Sequence, residues 1–263
     1  MKHLKNLFYF GYVQAVSCLF PVIIFLTLAL TKYIEVPSIA RYDLILLICL
    51  AAQILMIHFK YETADEVKVI FVFHIIGLAL ELYKVQMGSW AYPEEGISKV
   101  FGVPLYSGFM YASVASYMCQ AWRRMDLRIS SWPALWIVVI LGAAIYLNFY
   151  THHYIYDVRW ILKLLILLVF LKTFVSFTIN KTAYSMPLTL SFFLIGFFIW
   201  IAENIATFFG AWAYPNQQQN WEIVHIGKIS SWLLLVIVSF MIVAQLKHIK
   251  EFNEQPETLS ARQ

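Results

Sequence analysis

The sequence predicts an all-α membrane protein of eight transmembrane helices arranged as two parallel four-helix repeats. Three observations lead there. Of the 263 residues, 61% are hydrophobic and 13% charged, with a mean hydropathy of +0.71, where soluble domains carry roughly 25% charged residues. The apolar residues gather into runs of near-spanning length. A motif also occurs twice, since Glu81 … Gly88-Ser89-Trp90-Ala91-Tyr92-Pro93 returns 122 residues later as Glu203 … Gly210-Ala211-Trp212-Ala213-Tyr214-Pro215. Six of its thirteen positions are identical without a gap, which in so apolar a chain points to one duplicated unit.

The runs fall at 7–30, 42–59, 67–87, 103–122, 133–150, 157–179, 187–209 and 226–246, each close to the ~20 residues that cross a bilayer. The first is too long for the apolar core of a signal peptide, and no small-residue cleavage site follows. Pro104, Pro133 and Pro187 open three runs, where a missing amide proton costs nothing. Pro21 lies inside the first and is expected to kink it. The offset carries spans one to four onto five to eight, so the expected units are 1–122, 123–247 and a polar, frayed tail at 248–263.

An even number of spans puts both termini on one side. That side collects Lys2, Lys5, Lys60, Lys68, Arg123, Arg124, Arg128, Lys181, Lys247, Lys250 and Arg262. The opposite loops hold Lys32, Arg41, Lys99 and Arg159. This asymmetry places both termini in the cytoplasm and both Trp-Ala-Tyr-Pro loops outside. The expected location is a bacterial cytoplasmic membrane, crossed many times. The basic residues are scattered rather than striped, which argues against nucleic acid as a partner.

Glu81 and Glu203 each precede the helix-ending glycine by seven residues, or ~10 Å at 1.5 Å per residue, inside a hydrocarbon half-thickness of ~15 Å. A carboxylate there is costly, and it is carried twice. Two readings stand. The acids hold or relay a proton, or each anchors its own loop by accepting indole or backbone protons. Arg41 and Lys163 lie 40 residues before Glu81 and Glu203 respectively and are expected to reach them from the interface, with Lys84 as a local alternative for Glu81. Trp90, Tyr92, Trp212 and Tyr214 suit a membrane interface, but their fixed spacing also suits a turned loop lining a cavity, where they and the two basic residues would touch a substrate.

Cofactor signatures are missing. Cys18, Cys49 and Cys119 form no CxxC pair, and the histidines, among them His58, His74, His152, His153 and His225, have no metal-ligand spacing. No phosphate loop, dinucleotide fingerprint or nucleophile elbow occurs. No metal or cofactor is expected.

At the repeated motif the sequence resembles the YoaT-like family of bacterial integral membrane proteins over essentially its whole length. More distantly, Glu81 … Gly88-Ser89-Trp90-Ala91-Tyr92-Pro93 … Gly102-Val103-Pro104 is similar to a signature of the membrane lycopene cyclase and carotenoid hydratase domains. That resemblance implies a duplicated helical domain acting on long polyenes by protonation. In those cyclases a Glu-Glu pair follows the proline that opens the next helix. Here Leu105-Tyr106 follows Pro104, and Glu94-Glu95 stand after Pro93 instead.

The expectation for function is an intramembrane cavity that binds or modifies an isoprenoid-like or other lipidic substrate, with Glu81 and Glu203 as its acids. The alternative is a proton-coupled transporter or a structural membrane protein. Catalyst and carrier differ in their path: a catalyst needs an apolar tunnel between spans three, four, seven and eight, a carrier a polar route to both faces. The inner halves of those spans offer few polar residues beyond His74, Lys172 and Gln245.

Overall fold

The computed structural model describes residues 2–229 and 231–244. Its chain is mostly helical. Helices α1 (Lys2–Ser17) and α2 (Leu19–Tyr33) meet at a 67° bend. Pro21 explains the break: it has no N–H for the carbonyl of Ser17, and its ring clashes there, so α1 ends at that residue. The kink expected from Pro21 therefore sits one turn before it. Helix α3 (Arg41–His58) leads to α4 (Ala64–Gln86). The start of α4 is a capping box, with Glu66 N donating to Thr63 Oγ1 at 3.3 Å and Thr63 N to Glu66 Oε2 at 2.8 Å.

Strands β1 (Lys99–Val100) and β2 (Val103–Pro104) pair across a tight turn, then α5 (Tyr106–Met125) follows. Helix α5 packs closely on α4 because two glycines permit it. A Cβ on Gly77 would sit 2.3 Å from the Tyr111 ring, and one on Gly108 would sit 2.7 Å from His74. Helices α6 (Leu135–Thr151), α7 (Arg159–Val169), α8 (Leu188–Phe208) and α9 (Ser231–Ala244) complete the described helices.

The expected span 157–179 is corrected. Helix α7 stops at Val169, and β4 (Phe174–Ile179) pairs antiparallel with β5 (Thr182–Pro187), where a plain turn was expected. Strand β3 (Arg128–Ser130) extends this sheet on the other side of β4. The fold is therefore not all-α. The local physics is a hairpin: Asn180 and Lys181 both take positive φ, 47° and 62°, the conformation of a two-residue turn that matches strand twist. Phe174, Val175, Phe177, Thr178 and Ile179 are aromatic or β-branched and fit a pleated surface.

Among the described residues two helices, α3 and α8, are long and apolar enough to cross a membrane, and the bent pair α1–α2 passes the same test as one unit. Helix α4 is long enough at 23 residues but carries Asp65, Glu66, Lys68, Glu81 and Lys84. Helices α6 and α9 are apolar and shorter. The tail at 248–263, and with it Gln245, lies outside the described residues.

Candidate functional site

The two motif copies build the same turn. Gly88 and Gly210 follow α4 and α8 with φ of 69° and 73°, a left-handed conformation that a Cβ disfavours. Gly88 N donates to Val85 O and Ser89 N to Lys84 O, both at 3.0 Å; Gly210 N donates to Thr207 O at 2.9 Å and Ala211 N to Ala206 O at 3.0 Å. These are equivalent residues in the 122-residue frame, making equivalent Schellman caps. The copies then meet. Ala91 N donates to Ala213 O and Ala213 N to Ala91 O, each at 2.9 Å, so equivalent residues exchange a reciprocal pair of bonds about a local two-fold.

This contact brings both glutamates to one place. Glu81 is 5% exposed and accepts three hydrogen bonds from neutral donors: Trp90 Nε1 at 2.7 Å and Tyr92 hydroxyl at 2.8 Å on Oε2, and Tyr111 hydroxyl at 2.7 Å on Oε1. Tyr111 comes from α5 and fits because Gly77 has no side chain. Glu203 is 2% exposed; its Oε1 accepts from the Tyr214 hydroxyl and its Oε2 from Trp232 Nε1 of α9. Trp90 and Tyr214 then touch edge to face across the junction, 6.1 Å between ring centres.

Both carboxylates stand on the wall of a cavity of about 630 Å³, within the usual range for ligand sites. Its wall is nearly all apolar. Phe25 and Leu28 of α2, Val114 of α5, Ile199 of α8 and Val236 of α9 are representative, and Val175 and Phe177 of the unexpected hairpin bound it. The walls thus come largely from α1, α2, α5, α8 and α9, with α4 contributing Phe73 and Glu81. A tunnel among spans three, four, seven and eight alone would have omitted α1 and α2.

Of the residues singled out in sequence, Glu81, Glu203, Trp90, Trp212 and Tyr214 line this cavity, while Tyr92, Arg41 and Lys163 do not. The expected Arg41–Glu81 pair is replaced by another. Arg41 Nη1 binds Glu94 Oε1 at 2.5 Å, and its Nη2 donates to Phe209 O at 2.5 Å and to Leu28 O at 3.1 Å. It staples the first loop to the carboxyl end of α8, where free carbonyls attract a cation. Lys163 Nζ lies 3.1 Å over the Trp160 ring, and the lysine whose charge bears on Glu203 is Lys228. Lys84, the alternative partner of Glu81, turns to His153 Nε2 at 3.2 Å.

Sequence reasoning missed Tyr111, Trp232 and Lys228, which lie outside the repeated thirteen residues and carry no motif of their own. It also missed a polar cluster at the other end of α4. Glu62, 3% exposed, accepts from Gln53 Nε2 and Ser116 Oγ, and buried Glu66 is 3.4 Å from Arg123 Nε. Burial raises the Glu62 carboxyl above its usual range, against the hydrogen bonds from Ser116 and Gln53.

The model of a family described as "Protein of unknown function (DUF817)" matches residues 6–240. The chain is 62% identical over 251 residues to "Uncharacterized protein YoaT" of Bacillus subtilis strain 168, covering 95% of each. No solved structure matches.

Proposed function

The chain belongs to the DUF817 family, and from the geometry of its paired motifs we propose that it is a multi-pass membrane protein binding an apolar, lipidic ligand in the shared cavity. The observation that carries this reading is a nearly apolar space of about 630 Å³ with both repeated carboxylates on its wall. Glu81 and Glu203 are the groups that would meet a reactive or polar part of such a ligand. Their donors are hydroxyls and indoles, so each carboxyl can hold a proton without breaking an ion pair of its own. The tyrosine hydroxyls can reverse from donor to acceptor when it does. In this arrangement the acids either protonate the ligand or orient it, and an isoprenoid-like chain suits the wall.

The same reading keeps two parallel repeats, 1–122 and 123–247, with eight membrane passes and both termini cytoplasmic. The matched caps and the reciprocal Ala91–Ala213 bonds support the repeat; the distribution of Lys and Arg supports the orientation. Short α7 with β4 would then form one pass that is not a simple helix, and the bent pair α1–α2 another.

One observation favours proton-coupled transport as a second reading. Glu62 and Glu66 are buried at one end of α4 and Glu81 near the other, which supplies titratable groups toward both faces.

The test is native mass spectrometry of protein released from its own membranes. Wild type is expected to carry an apolar adduct that Ala202→Trp, which fills the cavity beside Glu203, loses. An adduct-free wild type, or an adduct unaffected by Ala202→Trp, would sink the reading. Glu81→Gln then separates roles: a retained ligand with lost turnover or proton coupling marks an acid, and unchanged behaviour marks an anchor.

A further inference from the structure

The far side of the Trp90–Tyr214 contact is basic. Lys228 Nζ lies 4.3 Å over the Tyr214 ring and 5.6 Å over the Trp90 ring, and both rings line the cavity. Three residues on, Ser231 at the start of α9 accepts from Arg159 Nη1 at 2.9 Å. Lys84 approaches from α4 and is only 5% exposed. Its described polar partner is His153 Nε2 at 3.2 Å. Burial and the Lys84 ammonium lower the His153 imidazole, which favours the uncharged ring beside the lysine.

Lys84, Lys228 and Arg159 are close enough to repel one another. Two carboxylates, Asp157 and Glu203, face these three cations. Asp157 accepts from Arg159 Nε at 2.6 Å and from Asn148 at 3.3 Å. Burial alone would raise its carboxyl, but those bonds hold it at about 2. Glu203 has one oxygen on Tyr214 and the other on Trp232. Three cations against two carboxylates leave the cluster one counter-charge short. The amino end of α9 adds partial positive charge at the same spot.

We infer that the basic cluster where α4, the 152–158 loop and the starts of α7 and α9 meet binds a phosphate-type oxyanion, as the head group of an amphiphile whose chain occupies the neighbouring cavity. Lys84 and Lys228 are its binding residues, and Arg159 stands beside them, fixed by Asp157 and Ser231. The inference rests on the lipid-binding reading and adds the class of head group. An oxyanion there would be charge-paired from two elements.

The experiment is native mass spectrometry of the purified full chain titrated with dioleoyl phosphatidylglycerol and, separately, with dioleoylglycerol, which has the same chains and no phosphate. Wild type is expected to retain the phospholipid about tenfold better, the size of one or two charge-assisted contacts. Lys228→Gln and Lys84→Gln should each erase most of that preference and leave dioleoylglycerol binding unchanged. Equal retention of the two lipids by wild type, or an undiminished preference in both variants, would overturn the inference. Lys228→Gln serves if Lys84→Gln does not fold. Addition of inorganic phosphate divides the source: displacement of the phospholipid supports the same oxyanion site filled from solution, and persistence supports a lipid head. Failure of wild type to hold either lipid would instead strike the cavity reading itself.

Discussion

The two motif copies differ less in backbone than in what surrounds their acids. Both end a helix in the same cap, both turn on a left-handed glycine, and both send the motif tyrosine to the motif glutamate. The first copy also uses its own Trp90 on Glu81, whereas in the second Trp212 is buried and Glu203 takes Trp232 from α9. Trp232 falls one position from Tyr111 in the repeat frame, so each acid draws one donor from the helix that follows its loop. Identical residues in frame fix the turn, and the donor set above it has drifted. Their supports differ as well. The first loop is tied to α3, where Asp43 accepts from Ile97 N and Ser98 N at 2.8 Å each. The second is tied back to α8, where Asn204 accepts from Val224 N at 2.8 Å and Trp221 Nε1 reaches Thr207 at 3.1 Å.

Removing each acid should break the comparison most visibly. Glu81→Leu orphans three donors and Glu203→Leu two, at about 1–3 kcal/mol per buried unsatisfied group. Thermal unfolding in detergent should therefore fall further for Glu81→Leu, and an equal fall would mean that the extra Trp90 contact contributes nothing. Gly77→Ala comes next. It drives a methyl into the Tyr111 ring, a strain of about 1–3 kcal/mol felt at Glu81 and absent from Glu203. Adding Tyr111→Leu should recover part of the loss, and no recovery would assign the strain elsewhere.

Smallest is the cap pair. Gly88→Ala and Gly210→Ala should each cost roughly 1–2 kcal/mol from the left-handed backbone. The two costs should be similar, because at Gly210 the new methyl meets Lys32 Nζ and Arg41 Nη1 only at contact distances of 3.4 and 3.5 Å, and at Gly88 it meets nothing. A much larger loss at Gly88 would mean that the two turns are not equivalent.

How much of this was readable in the sequence follows from the same physics. Seven of the eight apolar runs are helical over most of their length, the first as the bent pair α1–α2, because long apolar runs leave few alternatives. The run 157–179 failed because hydropathy counts apolar residues without asking whether their shapes suit helix or strand. Phe174–Ile179 is aromatic and β-branched, and Asn180 tolerates positive φ. Glu81, Glu203 and the cavity-lining Trp90, Trp212 and Tyr214 were legible because the recurring motif marked them. Arg41 was misassigned since equal spacing in a repeat says nothing about direction, and its guanidinium crosses to the other copy's carbonyls. Tyr111, Trp232 and Lys228 reach the site only through tertiary packing, which no local pattern announces.

Both acids share one cavity because the two copies meet at Ala91 and Ala213. A hydrogen-bonded antiparallel pair holds its Cα atoms ~5.5 Å apart, inside the ~4.4–6.8 Å that a disulfide spans. The measurement is therefore made on Ala91→Cys/Ala213→Cys with Cys18, Cys49 and Cys119 replaced by alanine, oxidised mildly in the membrane and followed by intact mass and thiol counting. The expected result is rapid loss of both thiols, with the mass of two hydrogens lost and one peptide containing both segments after digestion. Two free thiols that persist under oxidation, or cross-links only between separate chains, would contradict it.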